Sequence, residues 1–227
     1  MEDMHIHLKE AIYDQKLFDQ YLKKCIDNHI EKAVFLDHGN RISHKHKPVL
    51  YTKEAIDNFN NKILTYKNSD TSKKLIIVKG IEIDYSDNID FRKETLNILE
   101  YGQFEWVVGA IHSMQFDNLG QYLKAILDMI DNYPINAIAH IKMDSDYKLY
   151  HDLFVKILNK CYEKKIFIEI NTSDRSRWSD KQLYYMLELM EEYKVNFVYS
   201  SDAHNANNVG YMIKETLEKV KKWKTRK

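Results

Sequence analysis

Two cysteines, two prolines and six glycines are all that the 227 residues contain of these types. Cys25 and Cys161 fall inside helix-like segments and form no CxxC pair. A disulfide framework is excluded, and a reducing, cytoplasmic setting is expected. So little glycine and proline argues against long flexible linkers. An excess of charge of either sign is also missing, with 34 Lys+Arg against 34 Asp+Glu. The chain therefore has no basic field to gather nucleic acid or an anionic membrane surface. No apolar run approaches the roughly 20 residues of a membrane-spanning helix. The start, "MEDMHIHLKE", is charged within three residues and reads as neither a signal nor a transit peptide. Internal repeats and low-complexity segments are absent too. What remains is a length that can bury a substantial core, as one large domain or two small ones.

What is present is an alternation. "MEDMHIH" is short and period-two, with Met4 and Ile6 between polar residues. "LFDQYLKKCIDNHI" then sets Leu17, Phe18, Tyr21, Leu22, Cys25 and Ile26 on one helical face. "AVFLDH" precedes helical spacing between Lys53 and Tyr66. "LIIVKGIEIDY" precedes "DFRKETLNILEYG", a helix with Gly102 after its end. "FEWVVGAIHS", "INAIAH", "IFIEINTS" and "VNFVYSSDAH" complete seven strand candidates, each followed by helix-like sequence. Ser179 is the expected N-cap of the helix in "SDKQLYYMLELMEEYK", with Asp180 in its first turn. Such alternation predicts a parallel sheet. One unbroken series without a linker favours a closed α/β barrel in a single domain over residues 1–227. The alternative, an open doubly wound sheet, would usually carry a Gly-rich phosphate loop after an early strand, and none is present.

The C-terminal ends of these strands share a chemistry. The first ends in His5 and His7, the second in Asp37 and His38, and the third carries Glu82. The fourth ends at His112, the fifth at His140, and the seventh at Asp202 and His204. In a parallel barrel these ends meet at one rim, and period two puts both members of each closely spaced pair on one face. A single histidine at a strand end is more often an ordinary hydrogen-bonded residue than a ligand. Recurrence at five different strand ends is what points to a shared metal site. His29 and His151 read as helix-surface residues, and His44 and His46 as members of a Lys-rich loop, "RISHKHK".

The series "HIH", "LDHG", "GIEIDY", "GAIHS", "AH" before "IKMD", "EINTS" and "SSDAHNANNVG" resembles the polymerase-and-histidinol-phosphatase (PHP) family along almost the whole chain. "GIEIDY", "EINTS" and "SDAH…VG" are most similar to its histidinol-phosphate phosphatase branch. The resemblance implies a distorted seven-stranded (β/α)7, TIM-like barrel. It also implies about two to three divalent ions drawn from zinc, manganese and iron, with an activity in histidine biosynthesis. Carried over by motif, the metal ligands are His5, His7, His38, Glu82, His112, His140, Asp202 and His204, with Glu82, Asp202 and His204 central to catalysis. The sequence departs from the family's pattern at three points. After the first HxH, "LKEAIYD" offers only Glu10 or Asp14 as a further acid. Lys142 stands where the branch commonly has an acid, and the segments around the fourth strand are short.

The chemistry expected of such a site is hydrolysis of a small-molecule phosphate monoester, with L-histidinol phosphate first among candidates. A water bridging two ions would be presented as hydroxide at neutral pH, with Glu82 the candidate bridging carboxylate. The phosphate dianion also needs cationic donors. Arg175 and Arg177 follow the sixth strand in "NTSDRSR", and Arg41 and Lys142 lie just past other strand ends. Trp178 is equally a pocket wall or helix-start packing. Glu169 and Asn171 share a face and either bind a ligand or fill the barrel. A phosphotyrosyl protein or a nucleotide is the alternative substrate, and a non-catalytic metal-binding module ranks below both.

Overall fold

The computed structural model describes residues 1–40, 50–69 and 74–226. Seven strands run parallel and neighbour one another in chain order: β1 (Glu2–His7), β2 (Lys32–Leu36), β3 (Ile76–Asp84), β4 (Trp106–Ala110), β5 (Ala137–Ile138), β6 (Phe167–Asn171) and β7 (Phe197–Ser200). Helices α1 (Gln15–Asp27), α2 (Lys53–Lys67), α3 (Ile89–Gly102), α4 (Leu119–Asn132), α5 (His151–Lys164), α6 (Asp180–Glu192) and α7 (Ile213–Lys224) follow the strands one for one. β1 and β7 approach closely enough for Ile6 to pair with Ala203, and the His7 N–H donates to the Ala203 carbonyl at 2.8 Å. The sheet is thus a nearly closed (β/α)7 barrel, as the alternation predicts. No described helix is long and apolar enough to cross a membrane.

Local chemistry sets the helix starts. Asp14, Thr52, Asn88 and Asn118 accept backbone N–H bonds at the first turns of α1 to α4, and Ser179 forms a reciprocal capping box with Gln182 at α6. Two expectations about element ends need correction. Gly102 is the last residue of α3, and Gln103 takes the left-handed turn at φ +48°. His29 lies beyond α1 in a left-handed turn at φ +56°, still exposed. The fifth strand is also shorter than "INAIAH", because only Ala137 and Ile138 keep ladder pairing on both sides.

The core has two layers. Met4, Val34, Leu36, Val108, Ala110, Ala139 and Val198 fill the barrel interior, with Val78, Trp106 and Phe167 against them. A larger layer, including Phe18, Phe35, Phe59, Ile81, Leu123, Phe154 and Ile168, lies between the sheet and the helices. Gly80 lets the interior close. A Cβ there would stand 2.5 Å from Val34 Cγ1 and 3.2 Å from the Trp106 carbonyl oxygen.

β1 departs from simple alternation. Asp3 pairs with Ala33 and Ile6 with Phe35, so Met4 and His5 together oppose Val34 alone. This bulge turns both Met4 and His5 into the barrel, whereas period two expects Met4 to face away. Asp3 faces outward, accepting from the Ser201 N–H and Oγ at 2.9 and 2.6 Å and from the Gly210 N–H at 2.9 Å. Burial pushes its carboxyl up to about 6, although these donors favour the charged form. The contact fastens the first strand to the segment after the last.

Candidate metal centre

All eight residues that the motifs nominate as ligands meet at the C-terminal rim. His5 Nε2 lies 3.0 Å from His7 Nε2. Asp202 Oδ1 stands 3.8 and 3.4 Å from these two nitrogens, and 3.5 Å from His204 Nδ1. Glu82 is at the centre. One oxygen lies 2.7 Å from His38 Nδ1, 3.5 Å from His7 Nε2 and 3.7 Å from His5 Nε2; the other lies 3.2 Å from His140 Nε2 and 3.4 Å from His112 Nε2. Three overlapping triads each bring their ligand atoms within 4.8 Å: His5–His7–Asp202, His7–His38–His204 and His38–Glu82–His112.

Two of these residues reach the cluster only through unusual backbone. Ala139 points into the barrel, so alternation would send His140 outward. A left-handed conformation at φ +27° brings its imidazole back to Glu82. Asp202, just past β7, sits at φ +51°. Non-glycine residues adopt such conformations at a cost of about 1–2 kcal/mol each, and they persist where the surroundings over-determine them.

Carboxylates behind the imidazoles hold them in place. Glu169 accepts from His5 Nδ1 at 2.7 Å and from the His140 N–H at 2.6 Å, so it positions two nominated ligands at once. The Nδ1 contact leaves the His5 Nε2 lone pair for the cluster. Asn171 donates to Glu169 and to Asp202 at 3.2 and 3.3 Å. Asp37 lies 3.5 Å from His7 Nδ1 and accepts the His38 N–H at 2.9 Å. Asp84 accepts the His112 N–H at 2.8 Å and binds the Ser113 hydroxyl. Asp84 escaped the motif reading, although it lies two residues past Glu82 on the same strand face.

Charge is shared unevenly. Burial alone would raise the Glu82 carboxyl, but His38, His112 and His5, with a hydrogen bond from His140, hold it well below the usual range. Asp202 is likewise lowered, against burial, by His5 and His7. Burial opposes the charged form of His5 too, yet Glu169, Glu82 and Asp202 raise it well above the ordinary value. His7 is pushed up to about 9 beside Asp202 and Asp37 in spite of its burial. Burial wins at His38 and His204, which fall to about 4. Protons on some imidazoles thus balance buried carboxylates, a role that a bound cation takes over by displacing them.

The residues fit divalent cations. Glu82 Oε2 is buried without a hydrogen bond, and its 2.7 Å approach to His38 Nδ1 lies off hydrogen-bonding geometry. Lone pairs that converge in this way suit coordination. The nitrogen and oxygen donor set, without cysteine, suits zinc, manganese or iron. The two acids offered for a further ion lie elsewhere: Glu10 is exposed, and Asp14 caps α1.

Two clefts open beside the cluster. One, about 490 Å³, meets it at Asp202 and His204 and is lined by Lys9, Arg175, Asn205 and Tyr211 among others. The second, about 670 Å³, meets it at His112 and includes Phe116, Tyr122 and Lys142. Lys142 Nζ lies 5.7 Å from the Tyr122 ring centre. Arg177 does not line the first cleft; its guanidinium lies 3.6 Å from Asp174. Trp178 is packing, buried with its indole N–H donating to the Ile141 carbonyl at 2.7 Å. Arg41, His44 and His46 lie outside the described residues.

A parallel seven-stranded barrel with a histidine and carboxylate cluster at its C-terminal rim defines the class of protein. No protein-family model and no curated protein matches the chain. Solved structures do. A histidinol phosphate phosphatase from Lactococcus lactis, complexed with zinc, L-histidinol and phosphate, is similar over 98% of this chain and 93% of its own, with TM-score 0.76 and 18% identity. A putative histidinol phosphatase from Listeria monocytogenes is similar over 95% and 99%, with TM-score 0.69 and 18% identity. The metal-dependent tyrosine phosphatases YwqE of Bacillus subtilis and CpsB of Streptococcus pneumoniae share the fold more distantly, at TM-score 0.55 and 16% identity, over 98% of this chain and 87% of the matched chain. The fold is therefore the barrel that these histidinol phosphatases and metal-dependent tyrosine phosphatases share.

Proposed function

We propose that this chain, one domain over residues 1–227, is a cytoplasmic metal-dependent phosphatase acting on a small-molecule phosphate monoester, with L-histidinol phosphate as the first substrate to test. The observation that carries this reading is the buried Glu82 ringed by imidazoles, with Asp202 and His204 leading from it into a cleft that holds an exposed arginine. His5, His7, His38, Glu82, His112, His140, Asp202 and His204 would hold two or three divalent ions. Bound there, such ions would activate a water as nucleophile and neutralise charge on the phosphoryl oxygens. Glu82 is placed to serve two ions, because its two oxygens face different sets of imidazoles. Glu169, Asp37 and Asp84 keep His5, His140, His7, His38 and His112 oriented. Asp202 and His204 face the reacting group from the cleft wall, and Arg175 binds phosphate oxygens as a fork of donors.

Hydrolysis of a generic aryl phosphate, with and without a chelator, tests the class. A panel of L-histidinol phosphate, a phosphotyrosyl peptide and a nucleotide then tests the substrate. Chelator-sensitive cleavage with preference for L-histidinol phosphate is expected. Preference for the peptide would instead align the chain with its more distant neighbours. Arg175→Ala should lower kcat/KM by roughly tenfold to a thousandfold with metal content unchanged. Aryl phosphate hydrolysis that is absent, or indifferent to metal, would overturn the reading.

A further inference from the structure

The cleft beside Asp202 and His204 contains a second cation that the motifs do not nominate. Lys9 follows β1 by two residues and lines the cleft together with Arg175. Its backbone is left-handed at φ +49°, a conformation that favours glycine or asparagine. It is held there because its N–H donates to Asp37 Oδ2 at 2.5 Å, while the preceding Leu8 N–H donates to the Leu36 carbonyl at 3.1 Å. Asp37 is the carboxylate that also braces His7 and His38. The position of Lys9 is therefore tied to the ligands themselves.

Counter-charges in the cleft are already engaged. Asp174 takes the Tyr211 hydroxyl at 3.1 Å and faces Arg177. Asp202 faces His5, His7 and His204 and accepts from Asn171. Among the described residues, neither the Lys9 ammonium nor the Arg175 guanidinium has an ion pair or side-chain hydrogen bond. Two cations, unpaired among the described residues, thus line one cleft, Lys9 from the segment after β1 and Arg175 from the segment after β6.

We infer that Lys9 is a phosphate-binding residue of this site, gripping with Arg175 the phosphoryl group presented to Asp202 and His204. The inference rests on the phosphatase reading and adds a residue to it. Lysine acts here as a point charge and arginine as a planar fork, so the two contact different oxygens.

The test compares the metal-loaded wild-type protein with Lys9→Gln, Lys9→Gly and Lys9→Arg. The readouts are KM for an aryl phosphate, the inhibition constant of inorganic phosphate, metal content and melting temperature. Loss of the charge should weaken phosphate about tenfold to a hundredfold in the glutamine and glycine variants, with metal content unchanged. Lys9→Gly removes the backbone strain as well, so a melting temperature at or above wild type with phosphate binding lost assigns the effect to the ammonium. Lys9→Arg should recover most of the affinity. Phosphate affinity within about twofold of wild type in both uncharged variants, or loss of metal in step with loss of phosphate, would overturn the inference. A wild-type protein that neither cleaves the ester nor binds phosphate would instead sink the phosphatase reading and this inference with it.

Discussion

The barrel interior has two unlike halves along its axis. The lower half is Met4, Val34, Leu36, Val108, Ala139 and Val198. The upper half begins one to four residues further along the chain, at or just past the same strand ends, with His5, His38, His112, His140 and Asp202. The lower half is apolar and buried and needs no polar partner, so it stabilises the barrel by burial alone. The upper half buries imidazoles and carboxylates that survive only because each faces another or holds a proton. The apolar layer also gives the cluster a floor of low polarity, which strengthens the electrostatic interactions above it. Stability and chemistry are thus stacked along one barrel axis, and substitutions should separate them.

The largest effect is expected from Glu82→Ala. With its two oxygens facing different imidazoles, its loss should lower metal content and cut kcat by about a hundredfold or more, while the melting temperature moves little. Full activity with less than two ions per chain would break the proposed division. Leu36→Ala should do the reverse. Leu36 is fully buried, and its truncation should cost about 2–5 kcal/mol of stability in denaturant titrations, with activity per folded molecule retained. If the two variants lose activity and stability in equal proportion, the halves are not separable.

A pH titration sharpens the same contrast. In the metal-free protein, burial opposes the proton on His7, but Asp202 and Asp37 hold it up to about 9. His5 and His140 are raised as well. A cation binding at neutral pH must displace such protons. Its affinity should therefore rise by about tenfold per pH unit for each proton released, and the His7 contribution should level off only as pH passes about 9. Calorimetry in buffers of different ionisation enthalpy measures the release directly, and binding without it would contradict the proton-for-metal exchange. The smallest effect belongs to His29→Ala. Exposed beyond α1, it should leave activity and metal content at wild-type levels.

Strand alternation, the Ser179 cap and the rim residues were legible in the sequence because each has a local cause. Period two follows from the pleat, a cap from one side chain and its own helix, and the recurrence of histidines at strand ends from one rim serving all strands. Distance in three dimensions was not legible. Arg175 and Arg177 look equivalent in "NTSDRSR", yet one lines the cleft and the other lies beside Asp174. Lys9 looks like a solvated lysine until its left-handed turn and the Asp37 anchor place it in the cleft that Arg175 also lines.

The sequence by itself determined the seven-fold strand–helix alternation and the residue types at each strand end, because both depend on near neighbours along the chain. Only the tertiary structure decided how those ends meet. The bulge that turns both Met4 and His5 inward, the left-handed turns at His140 and Asp202, and the Glu169 carboxylate shared by His5 and His140 all depend on strands far apart in sequence. Closing the barrel sets which backbone conformations are tolerable and which charges become neighbours, and no local pattern carries that information.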